Sequence, residues 1–300
     1  MKHDRQVARD ISYAFSAETR SGRAVIRTLE NATGRLQLIR RAEGYQDEVA
    51  QGADFWSVMV RRYGLSLNVA GGELENIPSE GPLVIVANHP YGILDGLILG
   101  HILSERRGDF RILANRVFQK AEELDRVVLP ISFDNTRDAL ATNLQTRKNA
   151  LRYLGHGGAI GVFPGGTVST SRKPFSQALD PGWRSFTAKM IAKSDAVVVP
   201  IFFDGSNSRV FQVASHMHYT LRMALLINEF KRRVDEPVDV VIGERISTQE
   251  LDAYRKDPKA MMDFLRAKTY ALSPSPLNVR QHGFEFEAKH RRNENGGRHI

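Results

Sequence analysis

Leu83-Val84-Ile85-Val86-Ala87-Asn88-His89-Pro90-Tyr91-Gly92-Ile93-Leu94-Asp95-Gly96 joins a strand, a turn and the start of a helix in one short run. Its first five residues are apolar and mostly β-branched, as in a strand buried on both faces. Pro90 disfavours the helical conformation for the residue before it, so His89 stays extended and ends the strand. Gly92 can take backbone angles that side chains resist, which permits a tight turn. Leu94, Leu97, Ile98 and Ile102 then recur at helical spacing. Asp95 falls in the first helical turn, where the helix dipole favours its ionised form. From there its carboxylate can accept a hydrogen bond from one ring nitrogen of His89 and leave the other as a base. The same residues also read as a core histidine beside a helix-capping aspartate, and spacing alone does not separate the two.

Similar apolar runs flank this one. Strands are expected at 65–69, 110–114, 127–131, 159–163, 196–203 and 238–242, with helices near 94–107, 117–124, 138–154, 183–194, 217–233 and 249–272. Alternating strands and helices, several strands wholly apolar, predict an α/β fold: a mixed, largely parallel sheet flanked by helices. We place the α/β domain at residues 55–272. Residues 1–54 are expected to form a helical extension, with Gly34 as an interruption. In it Val25, Leu29, Ala32, Leu36 and Ile39 make a stripe among Arg23, Arg27, Arg35, Arg40 and Arg41. Such a basic amphipathic face suits a membrane surface or packing on the domain. Residues 273–300 open on Ser273-Pro274-Ser275-Pro276 and turn polar, which predicts a loose tail from Gln281 onward.

The 300 residues contain no cysteine, which excludes a disulfide framework and a thiolate nucleophile. No G-x-S-x-G elbow occurs, and the glycines between 155 and 166 match neither dinucleotide-binding nor P-loop spacing. His216 and His218 lack a carboxylate pair, so no metal site is expected. Met1-Lys2-His3-Asp4-Arg5 leads into mixed polar sequence, and no apolar run approaches the ~18 residues of a spanning helix. A cytoplasmic protein is expected. The net charge of +8 calls for an anionic partner. Basic and aromatic residues do not interleave as in single-strand binders, which favours an anionic membrane surface over nucleic acid.

Open α/β sheets hold ligands beyond the carboxyl ends of their strands. Here the strands ending at His89, Ala114, Phe163 and Phe203 all run into polar or glycine-rich loops. Pro164-Gly165-Gly166-Thr167-Val168-Ser169-Thr170-Ser171-Arg172-Lys173 offers backbone N–H groups, hydroxyls and two cations, the parts of an anion cradle. Its other reading is a flexible strand-to-helix loop.

Four ordered blocks resemble the glycerolipid and lysophospholipid acyltransferase family. They are Asn88-His89 with Asp95, Leu113-Ala114-Asn115-Arg116, Phe163-Pro164-Gly165-Gly166-Thr167-Val168-Ser169, and Val199-Pro200-Ile201-Phe202-Phe203-Asp204-Gly205-Ser206-Asn207-Ser208. The His-Pro-x-Gly-x-x-Asp-Gly form is most similar to a bacterial branch named for haemolysins and related to the acyltransferases of ornithine-lipid synthesis. The resemblance spans about residues 55–245. It implies transfer of a fatty acyl group from a thioester, on coenzyme A or acyl carrier protein, to the hydroxyl of a lysolipid, with no further cofactor. His89 would be the base and Asp95 its orienting partner. Arg116 and Lys120 would hold the acceptor head group, with Gly165, Gly166, Thr167, Ser169 and Asn207 completing the substrate site.

This chain departs from the family pattern in two places. Five residues rather than four separate His89 from Asp95, so a turn at Gly92 has to absorb one. Gly165 and Val168 stand where the family carries Glu and Arg, which points to Arg172 or Lys173 as a replacement cation, or to an acceptor that is not a phosphate monoester, such as a lyso-aminolipid. A membrane- or lipid-binding protein that has kept the fold without catalysis is the competing reading. A hydrolase that uses His89 to activate water is a third.

Overall fold

The computed structural model describes residues 11–17, 19–115, 122–132 and 136–286. Four helices come first: α1 (Arg20–Thr33), α2 (Arg35–Ala42), α3 (Tyr45–Ala50) and α4 (Phe55–Arg62). Next are β1 (Ser66–Gly71), β2 (Leu83–Ala87), α5 (Ile93–Arg107), β3 (Arg111–Asn115), α6 (Glu122–Asp125), β4 (Val128–Ile131), α7 (Arg137–Gly155) and β5 (Ala159–Val162). The chain continues through β6 (Thr170–Ser171), β7 (Ala178–Leu179), α8 (Ser185–Ile191), β8 (Val197–Phe203), α9 (Arg209–Met217), α10 (Tyr219–Arg232), β9 (Pro237–Ile242), α11 (Thr248–Asp252) and α12 (Pro258–Tyr270).

Seven strands form one sheet in the order β1-β9-β8-β2-β5-β3-β4. β8, β2, β5, β3 and β4 are mutually parallel, and β1 is parallel to β9. β9 meets β8 antiparallel, which makes the sheet mixed, as expected. In β2 the period-two rule divides the core. Leu83, Ile85 and Ala87 enter the cluster built with α4, α5 and α10. Val84 and Val86 enter the one built with α7, α8 and α12. A strand covered on both faces has no polar position to spare, hence its unbroken apolar run.

β2 lies between β5 and β8, although the chain visits β3 and β4 before β5. The carboxyl ends of these three central strands therefore open a crevice at a topological switch point. Asn88 fixes the edge of that crevice. Its side-chain amide donates to Phe203 O (2.9 Å) and its carbonyl accepts from Phe203 N (2.7 Å).

The amino-terminal helices belong to the same body. α1 lies along α10, with Ile26 and Leu29 turned into the core; of the expected stripe Leu29 and Ile39 are half-buried, while Val25, Ala32 and Leu36 stay exposed. Gly34 does break the helix, between α1 and α2. Segment 11–17 is tied down in turn: Ser12 Oγ and Tyr13 N donate to the buried Glu30 (2.5 and 2.6 Å), and Arg35 Nε donates to Ile11 O (2.7 Å). At the other end Gly283 N donates to Asp180 O (2.8 Å), Phe284 N donates to Thr170 O (3.0 Å), and Arg184 forks onto the buried Glu285. Residues 283–285 are thus docked on the domain, which the polar composition did not anticipate.

Two expected helices differ in detail. Pro258 occupies the first turn of α12 behind an Asp257 cap, so the 249–272 run is two helices. His218 caps α10 through Nδ1, and α9 precedes it behind a Ser208 cap. The expected helix at 117–124 is described only from Glu122 onward.

Candidate active site

His89 ends β2 and Asp95 lies in the first turn of α5; the chain between them folds back so that Nδ1 and Asp95 Oδ2 stand 2.9 Å apart. The extra residue is absorbed at Gly92, whose φ of +88° is open to glycine and strained for other residues. A Cβ there would also lie 2.9 Å from Tyr13 Oη and 3.3 Å from Val168 Cγ2. Gly92→Ala is therefore expected to lower unfolding free energy by about 1–3 kcal/mol from backbone strain alone. A shifted urea midpoint with an unchanged slope would register it.

Asp95 is fully buried. Oδ2 also accepts from Tyr91 N (2.8 Å) and Gly92 N (3.0 Å), while Oδ1 has no hydrogen-bond partner among the described residues. Burial pushes the carboxyl above the usual aspartate range; His89 and the two N–H groups oppose that shift. The His89 ring stacks on Phe163 with centroids 4.2 Å apart. With Nδ1 turned to Asp95, Nε2 is the nitrogen left for a substrate.

His89 lines a cavity of about 1260 Å³. That exceeds the ~300–1,000 Å³ usual for small-molecule sites. One part is apolar, walled by Phe55, Trp56, Met59, Leu97 and Ile112. Tyr13 and Phe15 close another side, and Tyr13 Oη accepts from Ile93 N (3.2 Å). The amino-terminal segment thus forms part of the site wall.

The Phe163–Ser169 loop is clamped to His89. Ser169 N donates to His89 O (2.8 Å), and the buried Asp180 gathers His89 N (3.2 Å), Ser169 Oγ (2.5 Å) and Trp183 Nε1 (2.9 Å). Asp180 ties His89 to this loop, a contact that the sequence reading missed; beyond its place before Pro181-Gly182, nothing in the pattern marks it.

The other expected site residues separate. Gly166 and Thr167 line the His89 cavity. Gly166 N, however, already donates to Phe163 O (3.0 Å), and Gly165 packs against the Asp180 side chain. The N–H groups of Thr167 and Val168 have no acceptor among the described residues, and both residues line the cavity. Ser169 and Asn207 line a different, smaller cavity of about 450 Å³; Ser169 is spent on Asp180, and the buried Asn207 amide has no partner among the described residues. Arg116 and Lys120 lie outside the described residues. Arg172 and Lys173 are exposed on the β6–β7 hairpin, away from the cavity.

The arginine of this wall among the described residues is Arg222, from α10, another residue that sequence reading missed. It is almost wholly buried. Nη1 donates to Thr170 Oγ1 (2.6 Å) and Ser215 Oγ (3.0 Å), and Nη2 to Val168 O (2.9 Å) and Thr167 Oγ1 (3.2 Å). Burial pulls its pKa down to about 9.

Comparison with known proteins gives the family. A family model described as acyltransferase matches residues 48–278. The lyso-glycine lipid O-acyltransferase of Phocaeicola vulgatus is 27% identical over 74% of this chain and 78% of its own length. The protein of the same name from Bacteroides thetaiotaomicron is 27% identical over 74% of this chain and 80% of its own. The crystal structure of the 1-acyl-sn-glycerophosphate acyltransferase PlsC from Thermotoga maritima aligns at 12% identity and a TM-score of 0.46, covering 83% of this chain and 95% of that one.

Proposed function

The chain belongs to the acyltransferase family, and from that premise we propose that it transfers a fatty acyl group from a thioester to the hydroxyl of a lysolipid. The observation that carries the reading is the His89–Asp95 pair on the wall of a large, partly apolar cavity. The donor is acyl carrier protein or coenzyme A thioester. The names of the relatives point to a glycine-type lysolipid as acceptor; a glycine whose amine carries a hydroxylated acyl chain presents that chain's hydroxyl for acylation and a free carboxylate.

The reaction needs no covalent enzyme intermediate. Nε2 of His89 takes the proton as the acceptor oxygen bonds to the thioester carbonyl carbon. Asp95 stabilises the imidazolium so formed. The carbonyl oxygen becomes an oxyanion, for which the N–H groups of Thr167 and Val168, two residues of the cavity wall, are candidate donors with no acceptor among the described residues. When the oxyanion collapses, the C–S bond breaks, and the departing thiolate takes the proton back from His89. Ester, free thiol and neutral histidine remain.

The acceptor reaches this site from a membrane surface. No helix among the described residues is long and apolar enough to cross a bilayer. Met217 is 71% exposed and Tyr219 48% exposed, and both line the cavity. Leu140 and Leu144 are exposed on α7, beside Ala139 and Thr142 of the cavity wall. With a net charge of +8, this apolar rim suits peripheral binding to an anionic leaflet on the cytoplasmic side.

One assay tests the reading. Purified protein receives an acyl thioester and a hydroxylated N-acylglycine presented in anionic vesicles, and products are resolved by mass spectrometry. The expected result is one O-acylated lipid per thiol released, at a rate that falls as salt is raised. Vesicle binding with no ester formed from any acyl thioester would refute it.

A further inference from the structure

We propose that Arg222 is the receptor for the anionic head group of the acceptor, and that the group it receives is a monoanion, a carboxylate. The inference deepens the proposed reaction and rests on it. Buried charges in proteins are normally paired, yet Arg222 is held only by neutral oxygens, from Thr167, Val168, Thr170 and Ser215. No carboxylate among the described residues forms an ion pair with it, and no acceptor among them takes its Nε–H. Phe211 and Phe286 flank the guanidinium at 4.9 and 4.1 Å from their ring centroids. They give it a cation–π environment without neutralising it.

Arg222 also borders the cavity that holds His89, and it is the one arginine or lysine among the described residues lining it. Glu285 lines the same cavity but is committed to Arg184 at 2.9 and 3.0 Å. Asp138, the other carboxylate of this wall, is exposed in the first turn of α7, so Arg222 is the buried charge of the wall with no carboxylate paired to it among the described residues. Such a wall matches a monoanion better than a doubly charged phosphate monoester. Position links this charge to the chemistry. Arg222 bonds Val168 O, and the next residue, Ser169, bonds His89 O. A head group anchored on the guanidinium is thereby held in fixed relation to the base, as productive alignment of a lipid hydroxyl requires.

The test compares three acceptors with one acyl chain and one hydroxyl: an N-acylglycine, its methyl ester, and a lysolipid with a phosphate monoester. For the wild-type protein kcat/KM should favour the carboxylate over the ester by about 10- to 150-fold, the range of a charge-assisted hydrogen bond. The loss should sit mainly in KM. Arg222→Gln should collapse that ratio to about threefold or less, and Arg222→Lys should restore part of it, because an ammonium keeps the charge but has three donors, too few to hold the four wall oxygens and a head group together. Equilibrium binding of the same lipids to wild-type protein, read by displacement of a fluorescent fatty acid, should show the same order. That arm needs no turnover, so it stands if the acyl-transfer reading fails or if the glutamine variant does not fold. Equal binding of acid and ester would overturn the proposal, as would a preference for the phosphate monoester.

Discussion

His89→Ala is expected to lower kcat for acyl transfer by about 10²- to 10⁴-fold, the contribution typical of a positioned general base. KM for the lysolipid should move only a few-fold, since the side chain lost is the one that acts on the proton in flight. Far-UV dichroism should be unchanged, because β2 is held by its neighbours and by Asn88 rather than by the imidazole. The stack on Phe163 is lost as well, so a small drop in melting temperature is expected. Turnover within threefold of wild type would remove His89 from the mechanism.

Asp95→Asn separates orientation from charge. Because Oδ2 faces His89 Nδ1, Tyr91 N and Gly92 N together, an asparagine oxygen in that position keeps all three contacts. The amide nitrogen then falls at the Oδ1 position, where no hydrogen-bond partner waits among the described residues. The ring keeps its tautomer and loses the negative charge opposite its imidazolium. A unit charge about 4 Å away is worth ~4 kcal/mol near a protein surface, before desolvation is subtracted. We expect kcat to fall by about 10²- to 10³-fold, less than in His89→Ala at the same pH. Asp95→Ala removes orientation too and should fall further. Stability carries a second signature. The folded-state pKa of Asp95 is raised by burial, so the native state holds this proton more tightly than the unfolded chain. Wild-type stability therefore declines as pH rises from ~4 through the raised value. The asparagine variant lacks that slope, so the melting temperature of wild type minus that of the variant should become more negative as pH rises.

Much of the fold was legible because it rests on period and punctuation. Leu83–Ala87 reads as a strand buried on both faces and is one, and Pro90 and Gly92 mark the turn that the chain makes. The direction of β9 was not legible, since alternation in Val238–Ile242 is the same whichever way the strand runs. β6 and β7 are two residues each, too short for any periodicity to register. The break before α12 was written in Asp257-Pro258, a cap followed by a first-turn proline, and the sequence reading passed over it.

The site divides along similar lines. His89 and Asp95 are near in sequence, so local geometry suffices to pair them. Asp180 reaches His89 from 91 residues away, and Arg222 reaches Thr170 from 52. On α10 Arg222 reads as one polar position among several, and only the packing of that helix on the Thr167–Ser171 segment turns it inward. Ser169 and Asn207 sit in matching sequence blocks, yet side-chain direction takes both to the smaller cavity.

Single imidazole catalysis predicts that a thioester stays intact until a hydroxyl is supplied. Rapid mixing of the protein with excess acyl thioester, first without and then with the lysolipid, measures this directly through the released thiol. No burst should appear before the acceptor is added, and afterwards thiol and ester should rise together. One equivalent of thiol released without acceptor, with the acyl group recovered on the denatured protein, would contradict direct transfer.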